Sequence, residues 1–202
     1  MLKLPRTIGG IEWEDDSENS TKRKGFTSEK YLDLVEGYKF FTNIDANFAY
    51  TFFAEINIDY DRLWDLLNSL ANTMPDEVAL LFGLYDYDLN YGDYTAKEDV
   101  VFELSKYKKE IAEDCRWEFG LFFQTEDEFI EIFVPEAKYV RFWGNDEVTF
   151  RAVMSSYSLN ELKELKFVDE YSKTVVPLST IDESVASTEI IIENLTRIFT
   201  SN

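Results

Sequence analysis

The chain has 202 residues, 45% of them hydrophobic and 16% aromatic, which supplies one core and argues against general disorder. It carries 40 acidic against 20 basic side chains, a formal charge of −20, so a nucleic-acid backbone or an anionic membrane surface would repel it. Histidine is absent, which excludes Ser-His-Asp and Cys-His catalysis and the usual zinc sites within the chain.

The first 25 residues read as an irregular arm, followed by one domain over 26–202. Gly9-Gly10 is a turn signal, and Ile8, Ile11 and Trp13 are the apolar residues with which such an arm would dock. Lys22-Arg23-Lys24 is a short basic run, too isolated to alter the charge balance. No apolar segment follows the basic residues of the N-terminus, so no secretory signal is expected, and a single cysteine, Cys115, fits a cytoplasmic setting. Cys115 lacks the imidazole partner a reactive thiol often uses, and a buried, inert role is expected.

A short helix is expected at 28–35 and a short strand at 39–42. Residues 47–58 are rich in β-formers and read as a strand covered on both faces. Asp59 then opens a helix with Leu63, Leu66, Leu67, Leu70 and Met74 on one stripe, ended by Pro75. The apolar run 77–85 reads as a buried strand. Together these make a β-α-β unit whose strands would run parallel within one sheet.

Thr95-Ala-Lys-Glu98 has capping-box spacing ahead of a helical stripe through Val100, Leu104, Tyr107 and Ile111. The stretch 115–154 then reads as a β-meander. Trp117, Phe119, Leu121 and Phe123 alternate on a first strand, and Ile130, Ile132 and Val134 on a second. Beyond Trp143 the pattern divides. Val148, Phe150, Ala152 and Met154 alternate as a fourth strand, the favoured reading. A cap at Asn145 with Phe150, Val153, Met154 and Tyr157 on one face would make a helix instead. Ser158-Leu-Asn-Glu161 is a second capping box, opening a short helix through Leu165, and Thr180-Ile-Asp-Glu183 a third, opening a C-terminal helix with Leu195 and Phe199 on its stripe. The fold class is therefore α+β, with a mixed, largely antiparallel sheet packed against helices and a C-terminal helix closing the core.

The densest polar constellation runs from Tyr85 to Tyr94. Asp86, Asp88 and Asn90 have the first three spacings of an EF-hand loop, but Gly92 is one place late and Lys97 stands where a bidentate carboxylate belongs, so no metal is assigned. No phosphate-binding glycine loop and no cofactor motif occurs. Tyr85, Tyr87, Tyr91 and Tyr94 interleaved with Asp86, Asp88 and Asp93 point to a partner-binding surface, because tyrosine supplies large contact area at low entropy cost.

Glu131, between two isoleucines on a strand, is expected to face solvent. Facing a cleft with Glu118 across the hairpin, it would form an acid–base pair. No catalytic residue is assigned.

The expected function is a non-catalytic acidic module that binds a basic protein. Charge and composition are similar to those of bacterial immunity proteins that mask basic nucleases or toxins, although no motif carries that likeness. A carboxylate- or metal-dependent enzyme and a structural subunit of a homo-oligomer are the alternatives.

Overall fold

The computed structural model describes residues 1–12 and 33–201. The basic run at 22–24, Trp13 and most of the helix expected at 28–35 lie outside the described residues, as does the Ile11 side chain. The α+β class holds, and the main sheet of the described residues is antiparallel at every pairing.

That sheet has the order β2 (Gly37–Thr42), β3 (Phe52–Asn57), β9 (Val140–Gly144), β8 (Phe129–Val134), β7 (Trp117–Gln124), β4 (Glu77–Leu84) and β5 (Asn90–Tyr91), with β6 (Thr95–Ala96) also pairing β4. β3 and β4 share the sheet and run parallel, as the β-α-β reading requires, with β9, β8 and β7 lying between them. The chain fills that gap later with the meander, whose tight connections suit antiparallel neighbours.

One face of the sheet is apolar in the strict alternation of its strands. Phe52, Ala54 and Ile56, then Val78, Leu80 and Phe82, then Trp117, Phe119 and Leu121, then Ile130, Ile132 and Val134 belong to a single buried core. Helices cover this face. α1 (Leu63–Ala71) lays Leu63, Leu66, Leu67 and Leu70 on it. α2 (Lys97–Leu104) adds Val100 and Leu104, and α3 (Lys108–Glu113) adds Ile111. α4 (Glu147–Ser156) brings Phe150 against Phe52 and Phe142, with ring centroids 5.1 and 5.2 Å apart. α5 (Thr188–Phe199) closes the core with Ile191, Leu195 and Phe199.

Several expectations are corrected. The meander ends at Gly144, and 147–156 is helix. Asp146, not Asn145, is its cap, accepting from the Thr149 amide at 2.9 Å. The strand reading needed Val148 on the same face as Phe150, but Val148 is 81% exposed. The capping box at Thr95 does not form: Thr95–Ala96 is strand, and the Thr95 hydroxyl donates to the Asp93 carbonyl. The Ser158 box opens no helix. Ser158 sits at φ 58, where αL geometry ends α4 instead. The C-terminal helix begins at Thr188, capped by Ser187, after a 3₁₀ turn over Leu178–Thr180. Gly9-Gly10 is not a turn: β1 (Ile8–Glu12) pairs antiparallel with β10 (Ser172–Val175) in a separate ribbon.

That ribbon belongs to a second, smaller cluster of Leu2, Leu34, Tyr139, Leu165, Phe167 and Tyr171. It covers one end of the sheet's other face. Asn57 donates from its side chain to the Lys166 carbonyl at 2.8 Å, and Lys39 lies over the Phe167 ring at 5.4 Å. Cys115 is fully buried at this junction, 3.1 Å from the Thr7 hydroxyl. Burial pushes its thiol up to about 11, which leaves it protonated and unreactive at neutral pH.

Candidate functional site

The second cluster stops part-way along the sheet, leaving half of a face uncovered. The pairing registers define what stands there. One transverse row reads Phe41, Phe53, Trp143, Glu131, Phe122 and Ala79 across β2, β3, β9, β8, β7 and β4. The next reads Lys39, Glu55, Arg141, Phe133, Gly120, Leu81 and Tyr91. Phe41 stacks on Phe53 at 5.7 Å and Phe53 packs tilted against Trp143 at 4.7 Å, so the first row is an aromatic ladder interrupted by one carboxylate.

Glu131 stands on this uncovered face as expected, partly buried among rings but open to water. It lines a groove of about 400 Å³ with Phe122, Phe129, Phe133, Tyr91 and Trp143. A neighbouring depression of about 740 Å³ shares Gln124, Phe129, Glu131 and Trp143 and is walled by Phe48 and Tyr50. The loop carrying those walls is held in shape by Asn43, whose amide donates to the Tyr50 carbonyl at 2.7 Å. The Ala49 carbonyl accepts from the Phe129 amide at 2.7 Å. Gly120, opposite Phe133 in the second row, has no room for a side chain: a Cβ there would lie 2.6 Å from the Ile132 carbonyl oxygen.

Burial among these rings pushes the Glu131 carboxyl up to about 7, against the opposing pull of the Arg141 charge. Arg141 also lines the groove; it lies 3.9 Å from Glu55, donates to the Tyr139 hydroxyl and covers the Tyr139 ring. Among the described residues no donor lies within hydrogen-bonding distance of the Glu131 carboxylate.

Glu118 is raised too, by burial first and then by the Glu136 charge, while the Glu136 amide donates to it at 3.3 Å and pulls the other way. It does not pair with Glu131. The residue opposite Glu131 is Phe122, and Glu118 lies four positions further along β7, roughly 13 Å at strand rise. Glu118 does not shift the Glu131 carboxyl, so the alternative acid–base pair is not assembled.

The tyrosine–aspartate segment is divided by the fold. All four tyrosines are exposed, Tyr87 and Tyr91 by 69% and 66%. Tyr91 and Tyr94 join the bare face: both rings pack on Phe122, and the Tyr94 hydroxyl accepts from the Gln124 amide at 2.9 Å. Tyr85, Asp86 and Tyr87 instead border a separate depression with Arg116, Tyr171 and Lys173. There the Glu136 and Asp86 charges raise the Tyr85 hydroxyl. Asp88 is exposed beside them. Asp93 is occupied with the C-terminus, accepting from the Ser201 amide at 2.8 Å and from its hydroxyl at 2.5 Å. Phe122, Phe129, Trp143 and Glu131 are the site residues that sequence reasoning missed or set aside. Their signal was a second aromatic register on the meander strands, out of phase with the core register.

No family model, curated protein or solved structure matches this chain, so its function rests on the site's own chemistry.

Proposed function

We propose that the protein is a non-catalytic acidic module that binds a basic protein through the bare half of its sheet. Immunity-type masking of a basic toxin or nuclease is the setting this chemistry suits best. The observation that carries the reading is the groove around Glu131: aromatic walls, a carboxylate at the centre, and Glu126 on its margin, in a chain of net charge −20. Aromatic residues anchor protein interfaces through buried area, and surrounding negative charge steers a cationic partner in. A second copy of the chain fits less well, because docking brings two strongly negative bodies together.

The test is an affinity capture from host lysate at low salt, using wild type, Tyr91→Ala and the double variant Asp86→Asn/Asp88→Asn. The expected result is one basic protein retained in stoichiometric amount by wild type and lost with Tyr91→Ala, at least a tenfold weakening. Loss with the Asp86/Asp88 variant alone would move the contact to the depression beside Arg116. Retention of nothing above background would defeat the binding-module reading.

A further inference from the structure

We propose that the groove around Glu131 is a receptor for a guanidinium group, the side chain of an arginine presented by the partner. This rests on the protein-binding reading above and names the chemistry of its central contact. The pairing registers put Trp143 and Phe122 on either side of Glu131, so the carboxylate stands between two aromatic walls. A cation entering there meets ring faces and a carboxylate together.

Charge complementarity is specific to this spot. The nearest cation, Arg141, is engaged by Glu55 and Tyr139, and among the described residues none donates to Glu131. With no protein donor among the described residues, this half-buried carboxylate is left to water, and an incoming guanidinium replaces that water with charge-assisted bonds. Guanidinium fits better than ammonium on two grounds. It is planar and weakly hydrated, so it gives up less on entering an aromatic groove. Its parallel N–H groups can also grip a carboxylate with two bonds. A groove of about 400 Å³ is ample for one such side chain, and the adjoining depression leaves room for flanking residues of the partner.

The site should respond to pH. Guanidinium binds the ionised carboxylate, so affinity rises as pH passes upward through about 7. The charged groups facing Glu131 from neighbouring elements are Arg141 on β9, with Glu55 on β3 and Lys39 on β2 beyond it, and Glu126 in the β7–β8 turn. Only the first opposes the incoming cation directly, and Glu55 offsets it. The residues that β7 contributes to the groove, Phe122 and Gln124, carry no charge.

The experiment is a titration of the 15N-labelled full chain with three blocked peptides, acetyl-Gly-X-Gly-amide with X as arginine, citrulline or lysine, at pH 8. Amide shifts at residues 122, 131 and 143 are followed. Citrulline keeps the shape of arginine and removes its charge. The arginine peptide should bind at least tenfold tighter than citrulline and more tightly than lysine. Its affinity should fall at least threefold at pH 5.5, and its preference over citrulline should vanish in Glu131→Gln. Equal shifts from arginine and citrulline, or an arginine preference that survives in Glu131→Gln, would overturn the proposal. Failure here with capture by Tyr91-dependent contact intact removes the arginine receptor and leaves the binding module. Arginine binding without any captured protein does the reverse.

Discussion

Glu131 is the residue at which stability and the proposed binding pull apart. Its carboxyl titrates near 7 in the folded chain against 4.5 for the free group. Between those values the folded chain holds a proton that the unfolded chain releases, so this group lowers stability as pH rises from 4.5 to 7, with the full penalty above 7. At about 1.4 kcal/mol per unit the shift corresponds to about 3 kcal/mol, and solvent at the groove mouth reduces this to about 1–2 kcal/mol. Glu131→Gln should therefore be more stable than wild type by that amount in urea unfolding at pH 8 and nearly equal to it at pH 4. An equal or lower stability at pH 8 would show that the carboxylate is well solvated. Gly120, on β7 opposite Phe133, is a second position where the backbone sets the residue. Gly120→Ala puts a methyl 2.6 Å from a backbone carbonyl that cannot move without breaking the ladder, and about 1–3 kcal/mol of destabilisation is expected in the same assay.

At the scale of elements, α4 shows how local signals compete. Residues 147–154 fit a strand by alternation and a helix by the Phe150–Met154 spacing. Asp146 tips the balance, because its carboxylate satisfies the Thr149 amide and hydroxyl at the first turn. Asp146→Ala should cost about 1 kcal/mol, read as a lowered thermal midpoint, while Asn145→Ala leaves this cap in place. Much of the fold was legible at this scale. The α1 stripe and the two meander strands carry long, unambiguous periods, and the run that became β4 is continuously apolar. The terminal helix was legible in kind, but its start was placed too early by the Thr180 box. The capping boxes at Thr95 and Ser158 misled, since a four-residue pattern is weaker than a strand pairing available a few residues away. The site was half legible. Tyr91 and Tyr94 were marked by composition, whereas Phe122 and Trp143 looked like ordinary members of core strands.

For the whole molecule, net charge sets the long-range behaviour. Twenty net negative charges on one body repel each other, so added salt should stabilise the fold by screening. The expected outcome is a thermal midpoint that rises as NaCl is raised through roughly 0.1 M, where the Debye length falls to about 10 Å. A flat response would mean that the carboxylates are locally balanced, as Asp182 is by Arg6 and Lys109, and would weaken the case for long-range steering of a basic partner.

The sequence by itself determined the antiparallel meander, the helix stripes, the α+β class and the net charge, because these depend on periods and sums read along the chain. Only the tertiary structure decided that Glu131 stands in a groove. Alternation assigns a residue to one face of a strand and is silent on what covers that face. Here the cover comes from 162–175, far along the chain, and it ends short of Glu131. That boundary, set by packing between distant segments, turns half a sheet face into a candidate binding surface.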